Sequence, residues 1–372
     1  MTILTDYIND LEFVINRDCG TGNAANITAV AEYLCKQYNA LGFKAELVDF
    51  GENVGKAVLA RNKPNADRYD VLFNAHLDTV FPDGTVEKRP LRIEGDIAYG
   101  PGVSDCKGGV LAILHAMKNA RREDLERLSI AILHNPDEEI GSPSSARWLC
   151  EHAKKAKRVI VCEPARDKGE LLKARKGYAN FRVVFHGKAA HAGNNPQDGR
   201  NANIAMMKFG LESYKLHQPE IGITVNPGVV GCATKLSNVV SDMAYIDYDV
   251  RFLEDAQGDQ VKEKFQELCS RDWGKDIQVE FTVVKEKPAM PYNDRSKELV
   301  DTMTRAAQMA GFEAKWVLAG GYSDGNIMAK MGVPVVDGCG PAGGQLHSDR
   351  EYSRLNTVER HVKMLARLLE LI

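Results

Sequence analysis

Apolar segments of strand length alternate with segments of helical periodicity through the N-terminal part of this chain. Residues 71–75, 128–134 and 159–161 are the strand-like runs, and residues 108–120 and 144–153 carry apolar positions at helical spacing. Alternation of this kind builds a largely parallel sheet covered by helices on both faces. Open sheets of that class keep their sites at the carboxyl ends of the strands. The residues directly after each strand therefore matter most. His76 and Asp78 come after the first, in Asn74-Ala75-His76-Leu77-Asp78. Glu138 and Glu139 come after the second, in Asp137-Glu138-Glu139-Ile140-Gly141, and Glu163 after the third, in Cys162-Glu163-Pro164. Asp105 lies among glycines just before a helix, and His347 occupies a late glycine-rich loop, Gly343-Gly344-Gln345-Leu346-His347-Ser348-Asp349.

His76, Asp105, Glu139, Glu163 and His347 are all metal-ligand types. Two imidazoles and three carboxylates serve two divalent ions if one carboxylate bridges. Such ion pairs, roughly 3.5–4 Å apart, polarise one water and the substrate oxygen together, which suits hydrolysis. The charges also close, because three acids and one bridging hydroxide balance two divalent cations. Asp105 has the rigid loop–helix position a bridge needs, although a helix cap would occupy the same place. Adjacent acids cannot easily face one ion together, so Glu139 and Glu138 divide the work. Glu139 binds metal and Glu138 takes the proton from the bridging water, a role worth about 10²–10⁴-fold in rate; the alternative is a solvated acidic turn. On an extended strand His76 and Asp78 share a face. Asp78 then accepts from the ring nitrogen of His76 that is turned away from the metal, or the two form a surface polar pair. His191, in Gly187-Lys188-Ala189-Ala190-His191-Ala192-Gly193, sits in a small-residue loop that lets its ring project. It is either a donor to a developing oxyanion or an exposed loop residue. His115, His134, His152, His217 and His361 read as structural or solvated, and His186 as structural.

At 372 residues the chain exceeds the usual size of one core, so two domains are expected. Residues 179–186, 203–217, 221–231, 244–252, 257–270 and 277–284 take the order β-α-β-β-α-β, a ferredoxin-like unit. The helix–strand style resumes after Pro291, with further elements at 296–310, 314–318, 324–331, 333–336 and 355–371. The expected organisation is a discontinuous catalytic domain, 1–177 and 292–372, with 178–291 inserted. With 48 Lys plus Arg against 51 Asp plus Glu, nothing in the charge favours nucleic acid or an anionic membrane. No apolar run is long enough to span a bilayer, and the first residues lack a basic, apolar leader, so a cytoplasmic location is expected. The eight cysteines form no Cys-x-x-Cys pair and read as buried thiols of a reducing compartment. Cys106 and Cys162, each beside a proposed ligand acid, read as packing residues.

The ordered motifs resemble the co-catalytic zinc peptidase family of glutamate carboxypeptidase, succinyl-diaminopimelate desuccinylase, acetylornithine deacetylase and aminoacylase. The likeness runs from Cys19-Gly20-Thr21 to His347-Ser348-Asp349. It is strongest toward glutamate carboxypeptidase, through Gly320-Gly321-Tyr322-Ser323-Asp324. The resemblance implies two zinc ions, with cobalt or manganese as substitutes. Asp105 would bridge, His76 and Glu163 would complete one site, and Glu139 and His347 the other. Glu138 would be the general base and Asp78 the orienter of His76. The inserted unit would be a lid and dimerisation domain, making a homodimer in which His191 enters the neighbouring subunit's site. Asn238 and Arg251 match substrate-binding lid positions, and Arg251 suits a bidentate hold on a carboxylate. A cis peptide is implied after the bridging acid, at Asp105–Cys106. Lys287 stands where carboxypeptidase relatives tend to carry arginine. Lysine keeps the charge but loses the two-pronged geometry, so the resemblance does not carry a preference for C-terminal glutamate. The implied activity is hydrolysis of an amide next to a substrate carboxylate, on small peptides or N-acyl amino acids. An N-acyl amino acid deacylase, desuccinylase or dipeptidase shares the same machinery, and a metal-bound binding protein without catalysis is the distant alternative.

Overall fold

The computed structural model describes residues 2–372. Contacts between Cα atoms divide it into two compact units: residues 1–174, 291–319 and 323–372, and residues 175–290 with 320–322.

The first unit is built on a six-stranded sheet. Its strand order is Lys44–Val48, Ala57–Arg61, Ile130–His134, Val71–Asn74, Val159–Val161, Val335–Val336. The last four run parallel, whereas Lys44–Val48 and Ala57–Arg61 join antiparallel at one edge. Every residue of Val71–Asn74, Ile130–His134 and Val159–Val161 is buried, which is why these strands are continuous apolar runs rather than alternating ones. Helix Ala24–Ala40 starts where the Asn23 side chain accepts from the Asn26 N–H at 3.0 Å. It turns Ile27, Val30, Ala31, Leu34 and Tyr38 into the core. Gly42, at φ +86°, supplies the left-handed turn that ends it. The last helix, Leu355–Leu371, packs Val358, Val362, Leu365 and Leu369 against helices Lys107–Asn119 and Asp294–Met309. Truncating one such leucine to alanine typically costs about 2–5 kcal/mol.

Two features of this unit depart from the sequence expectation. A second sheet of five short strands joins Arg92–Glu94, Ile97–Tyr99, Tyr352–Arg354, Gly340–Gly344 and Pro164–Ala165. The expected loop at 343–349 is therefore shorter than expected, because its first two residues belong to strand Gly340–Gly344, which pairs with both neighbours, whereas residues 345–349 with His347 form the loop and turn after it. Among the described residues no helix is long and apolar enough to cross a membrane.

The second unit is a four-stranded antiparallel sheet ordered Thr224–Cys232, Met243–Phe252, Gly177–His186, Gln278–Lys287, with helices Ala202–Tyr214 and Asp255–Cys269. Strands Met243–Phe252 and Gly177–His186 each bury alternate residues, so period two sets one face toward the helices. Phe181, Phe185, Phe209 and Phe265 meet there edge to face, with ring centroids 5.1–6.0 Å apart.

Candidate metal centre

Three neighbouring parallel strands deliver the site. His76 lies two residues past Val71–Asn74, Glu163 two past Val159–Val161, and Glu138 and Glu139 form a single 3₁₀ turn past Ile130–His134. Asp105 precedes the buried N-terminus of Lys107–Asn119, where the helix dipole favours an anion. His347, at φ +59°, comes after Gly340–Gly344.

Asp105 sits at the centre. Its Oδ1 lies 3.1 Å from His76 Nε2 and its Oδ2 lies 3.0 Å from His347 Nε2. Glu163 Oε1 stands 3.5 Å from His76 Nε2, and Glu139 Oε2 stands 3.3 Å from His347 Nε2. The structure thus brings His76, Asp105, Glu139, Glu163 and His347 together as two triads that share one carboxylate. Donor atoms of each triad lie within 4.8 Å of one another. Glu139 Oε1 is buried and has no hydrogen-bond partner. A gathered set of buried acids and imidazoles with an orphaned oxygen is what a cation site requires, so the residues fit two shared-ligand metal ions. In the bare chain, hydrogen bonds to Asp105 and Glu139 push the His347 imidazole up to about 10. Burial opposes ionisation of Asp105, yet the bonds from His347 and His76 hold its carboxyl below the usual range. Burial pushes the Glu138 carboxyl well up.

Around these donors lies a supporting layer. The His76 Nδ1–H points at Asp78, 3.0 Å from its backbone carbonyl and 3.2 Å from Oδ1, which leaves Nε2 as the free lone pair. Asp78 is wholly buried and does more than face His76. Its carboxylate accepts from the Glu138 N–H at 3.0 Å, the Glu139 N–H at 3.1 Å and the Thr21 hydroxyl at 2.7 Å. Glu351, which sequence reasoning missed, accepts the backbone N–H of Gly102, Ser104 and Asp105 at 2.9–3.0 Å. Its only sequence signal is an acid four residues after His347. The Asp105–Cys106 peptide is cis. A packing role for Cys106 is incomplete, since its buried sulfur also lies within the donor radius of His76, Asp105 and Glu163 while donating to the Cys162 carbonyl at 3.2 Å. The eight cysteines are all free thiols.

His191, Asn238, Arg251 and Lys287 belong to the second unit. His191 and Asn238 are exposed and adjacent, because Ala190–His191 pairs with Val239–Val240 and the Ala192 N–H donates to the Asn238 carbonyl. His191 Nδ1 accepts from the Gly193 and Asn194 N–H groups at 3.2 and 3.1 Å, which puts the ring proton on Nε2. The Arg251 fork is engaged by Asp249, at 2.8 and 2.9 Å, over the Tyr178 ring. Lys287 lies 5.1 Å from the Tyr322 ring centroid.

A sheet carrying acids and imidazoles at its strand ends, arranged as two triads about a shared aspartate, defines a metallohydrolase. The model of peptidase family M20/M25/M40 matches residues 72–371. Carboxypeptidase G2 of Pseudomonas sp. (strain RS-16) is 31% identical over 97% of this chain and 88% of its own length. Succinyl-diaminopimelate desuccinylase of Alkalilimnicola ehrlichii is 25% identical over 91% of the chain and 93% of its own. Among solved structures, aminopeptidase PepT from Bacillus cereus superposes with a TM-score of 0.79 at 22% identity, covering 99% and 98% of the two chains. The M20 metallo-carboxypeptidase Sso-CP2 from Sulfolobus solfataricus gives 0.64 at 18% identity, covering 98% and 99%. The chain belongs to peptidase family M20/M25/M40, whose members depend on metal.

Proposed function

We propose that this chain is a two-metal amidohydrolase that cleaves an amide beside a substrate carboxylate, in a small peptide or an N-acyl amino acid. The observation that carries this reading is Asp105, whose two oxygens face two separate imidazole–carboxylate pairs, with Glu138 next to Glu139 in a turn whose backbone N–H groups Asp78 holds. His76, Asp105 and Glu163 would hold one ion, and His347, Asp105 and Glu139 the other. Zinc is the first candidate, and cobalt or manganese can substitute; when bound, such ions polarise the scissile carbonyl and lower the pKa of water.

The remaining chemistry belongs to the chain's own groups. Glu138, whose carboxyl burial raises well above the usual range, takes a proton from the attacking water and returns it to the leaving amine. Asp78 fixes the His76 tautomer and, through two backbone N–H groups, the orientation of the Glu138–Glu139 turn. His191, with its proton on Nε2, donates to the oxyanion in the site of a second copy. Arg251, Asn238 and Lys287 supply polar and cationic groups for the substrate carboxylate, with Arg251 exchanging its Asp249 partner for it. A homodimer formed through the second unit and a cytoplasmic setting complete the reading.

Glu138→Gln tests it. Turnover of a panel of N-acyl amino acids and dipeptides should fall by at least about 10²-fold, with metal content per chain unchanged. Retained turnover removes Glu138 as the base, and lost metal reassigns it to binding.

A further inference from the structure

Beside the metal centre lies a cavity of about 510 Å³, one of whose walls is Glu139 itself. Two loops form its sides and are stapled together. The Thr79 N–H donates to the Cys19 carbonyl at 2.8 Å, Gly20 bridges Thr79, and the Asn23 amide donates to Asp83 at 2.7 Å. The volume falls within the range of small-molecule pockets, about 300–1,000 Å³.

The chemistry of the lining is selective. Val80 (41% exposed) and Ile140 (59% exposed) present apolar surface next to a ligand-bearing turn, and Phe81 and Pro82 continue it. Among the described residues no lysine, arginine or histidine lines the cavity, whereas Asp83 and Glu139 do. Arg89, which stands over the Phe81 ring, is bonded to the Ser348 carbonyl and is not part of the lining. Thr21, Asn23 and Thr79 also line the cavity, but the Thr21 hydroxyl is committed to Asp78, the Asn23 amide to Asp83, and Glu139 to the metal centre. Away from the metals, a carboxylate entering the cavity therefore meets Asp83 and apolar surface, with no lysine, arginine or histidine to offset its desolvation.

We propose that this cavity receives the acyl side of the scissile amide, and that the preferred acyl group is bulky, apolar and uncharged. The inference rests on the amidohydrolase reading above. The carboxylate-bearing amine side of the substrate needs a cation and is excluded from the cavity, which leaves the carbonyl side. By the same argument an acyl group ending in a carboxylate, such as succinyl, is disfavoured.

Gly22 offers a direct handle. A Cβ built there meets nothing within 4 Å and its backbone is not left-handed, so a side chain is accommodated and projects into free space at the cavity wall. The experiment compares N-acetyl, N-phenylacetyl and N-succinyl derivatives of the same amino acid, across a set of amino acids, on the metal-loaded enzyme. The wild type should favour N-phenylacetyl over both others in kcat/KM. Gly22→Leu should lose about tenfold or more on N-phenylacetyl while N-acetyl stays within about threefold, with metal content unchanged. Val80→Lys, at an exposed position, should raise N-succinyl relative to N-phenylacetyl. Equal losses on all three substrates in Gly22→Leu, or a wild-type preference for N-succinyl, overturn the proposal. Absence of hydrolysis of every amide by the wild type overturns the amidohydrolase reading itself and the cavity assignment with it, an outcome distinct from hydrolysis with the wrong acyl preference.

Discussion

Five side chains of metal-ligand type converge in the structure, and they were readable in the sequence because each stands where an alternating strand–helix pattern ends. Their supports were less legible. Asp78 was visible as a neighbour of His76 but not as the acceptor for the Glu138 and Glu139 N–H groups, and Thr21 gave no signal. Glu351 gave almost none, because it recognises backbone N–H groups, which every residue type offers alike. Its geometry yields a prediction. Glu351 ties the segment after His347 to the loop bearing Asp105, so the shared carboxylate is held before any ion arrives. Glu351→Ala strands three buried N–H groups, at about 1–3 kcal/mol each, and should weaken metal binding at least about tenfold by chelator competition. Glu351→Gln, which keeps an acceptor oxygen, should lose less. Unchanged affinity, with only the thermal midpoint of the metal-free chain lowered, would reduce Glu351 to a fold-stabilising residue.

Most strands and helices of ordinary length could be located from apolar periodicity, although helix Ile3–Ile15 and strand Leu171–Arg175 were not, and the five-stranded second sheet could not be. Its strands run to only two to five residues, too short for period two to register. Helix Ala202–Tyr214 shows a different limit. Apolar residues surround it, so periodicity cannot say which remain outside. The structure leaves Ile204, Met207, Leu211 and Tyr214 exposed at 45%, 52%, 74% and 51%, at spacings of three, four and three residues that fall on one face. Edge strand Thr224–Cys232 exposes Val229 and Val230 at 51% and 61%. An apolar helix stripe and an unpaired strand edge in one unit are liabilities unless covered, and a second copy related by a twofold axis would cover both. Leu211→Glu combined with Val230→Lys should therefore convert a dimer to monomers in sedimentation velocity experiments. A dimer that persists in the double variant places the interface elsewhere, and a monomeric wild type removes it.

At the scale of the whole molecule, buried residues give stability opposing dependences on pH. Burial lowers His134 and His361 from about 6.5 to about 4. His134 is fixed as a neutral tautomer, its Nδ1–H donating to the Ala75 carbonyl and its Nε2 accepting from Tyr38. His361 donates to the Cys339 carbonyl and has a buried Nε2 with no partner. Between pH 6.5 and 4 the unfolded chain binds these protons and the folded chain does not, so their contribution is complete above 6.5 and is lost as pH falls. Asp324, held by Asn135 and Ser142, works the other way. Burial raises its carboxyl to about 6, so from pH 6 to 3.8 the folded chain takes up a proton first and a penalty present at neutral pH is relieved. The two slopes oppose each other, and single variants separate them. His361→Leu removes the acid-sensitive group. Denaturant unfolding of the metal-free protein should show the stability difference between wild type and this variant shifting in the variant's favour by about 2 kcal/mol from pH 7 to pH 5. The sign is fixed by the direction of the histidine shift. A difference that stays constant over that interval would mean His361 titrates alike in the folded and unfolded chains, and that its burial costs the imidazolium nothing.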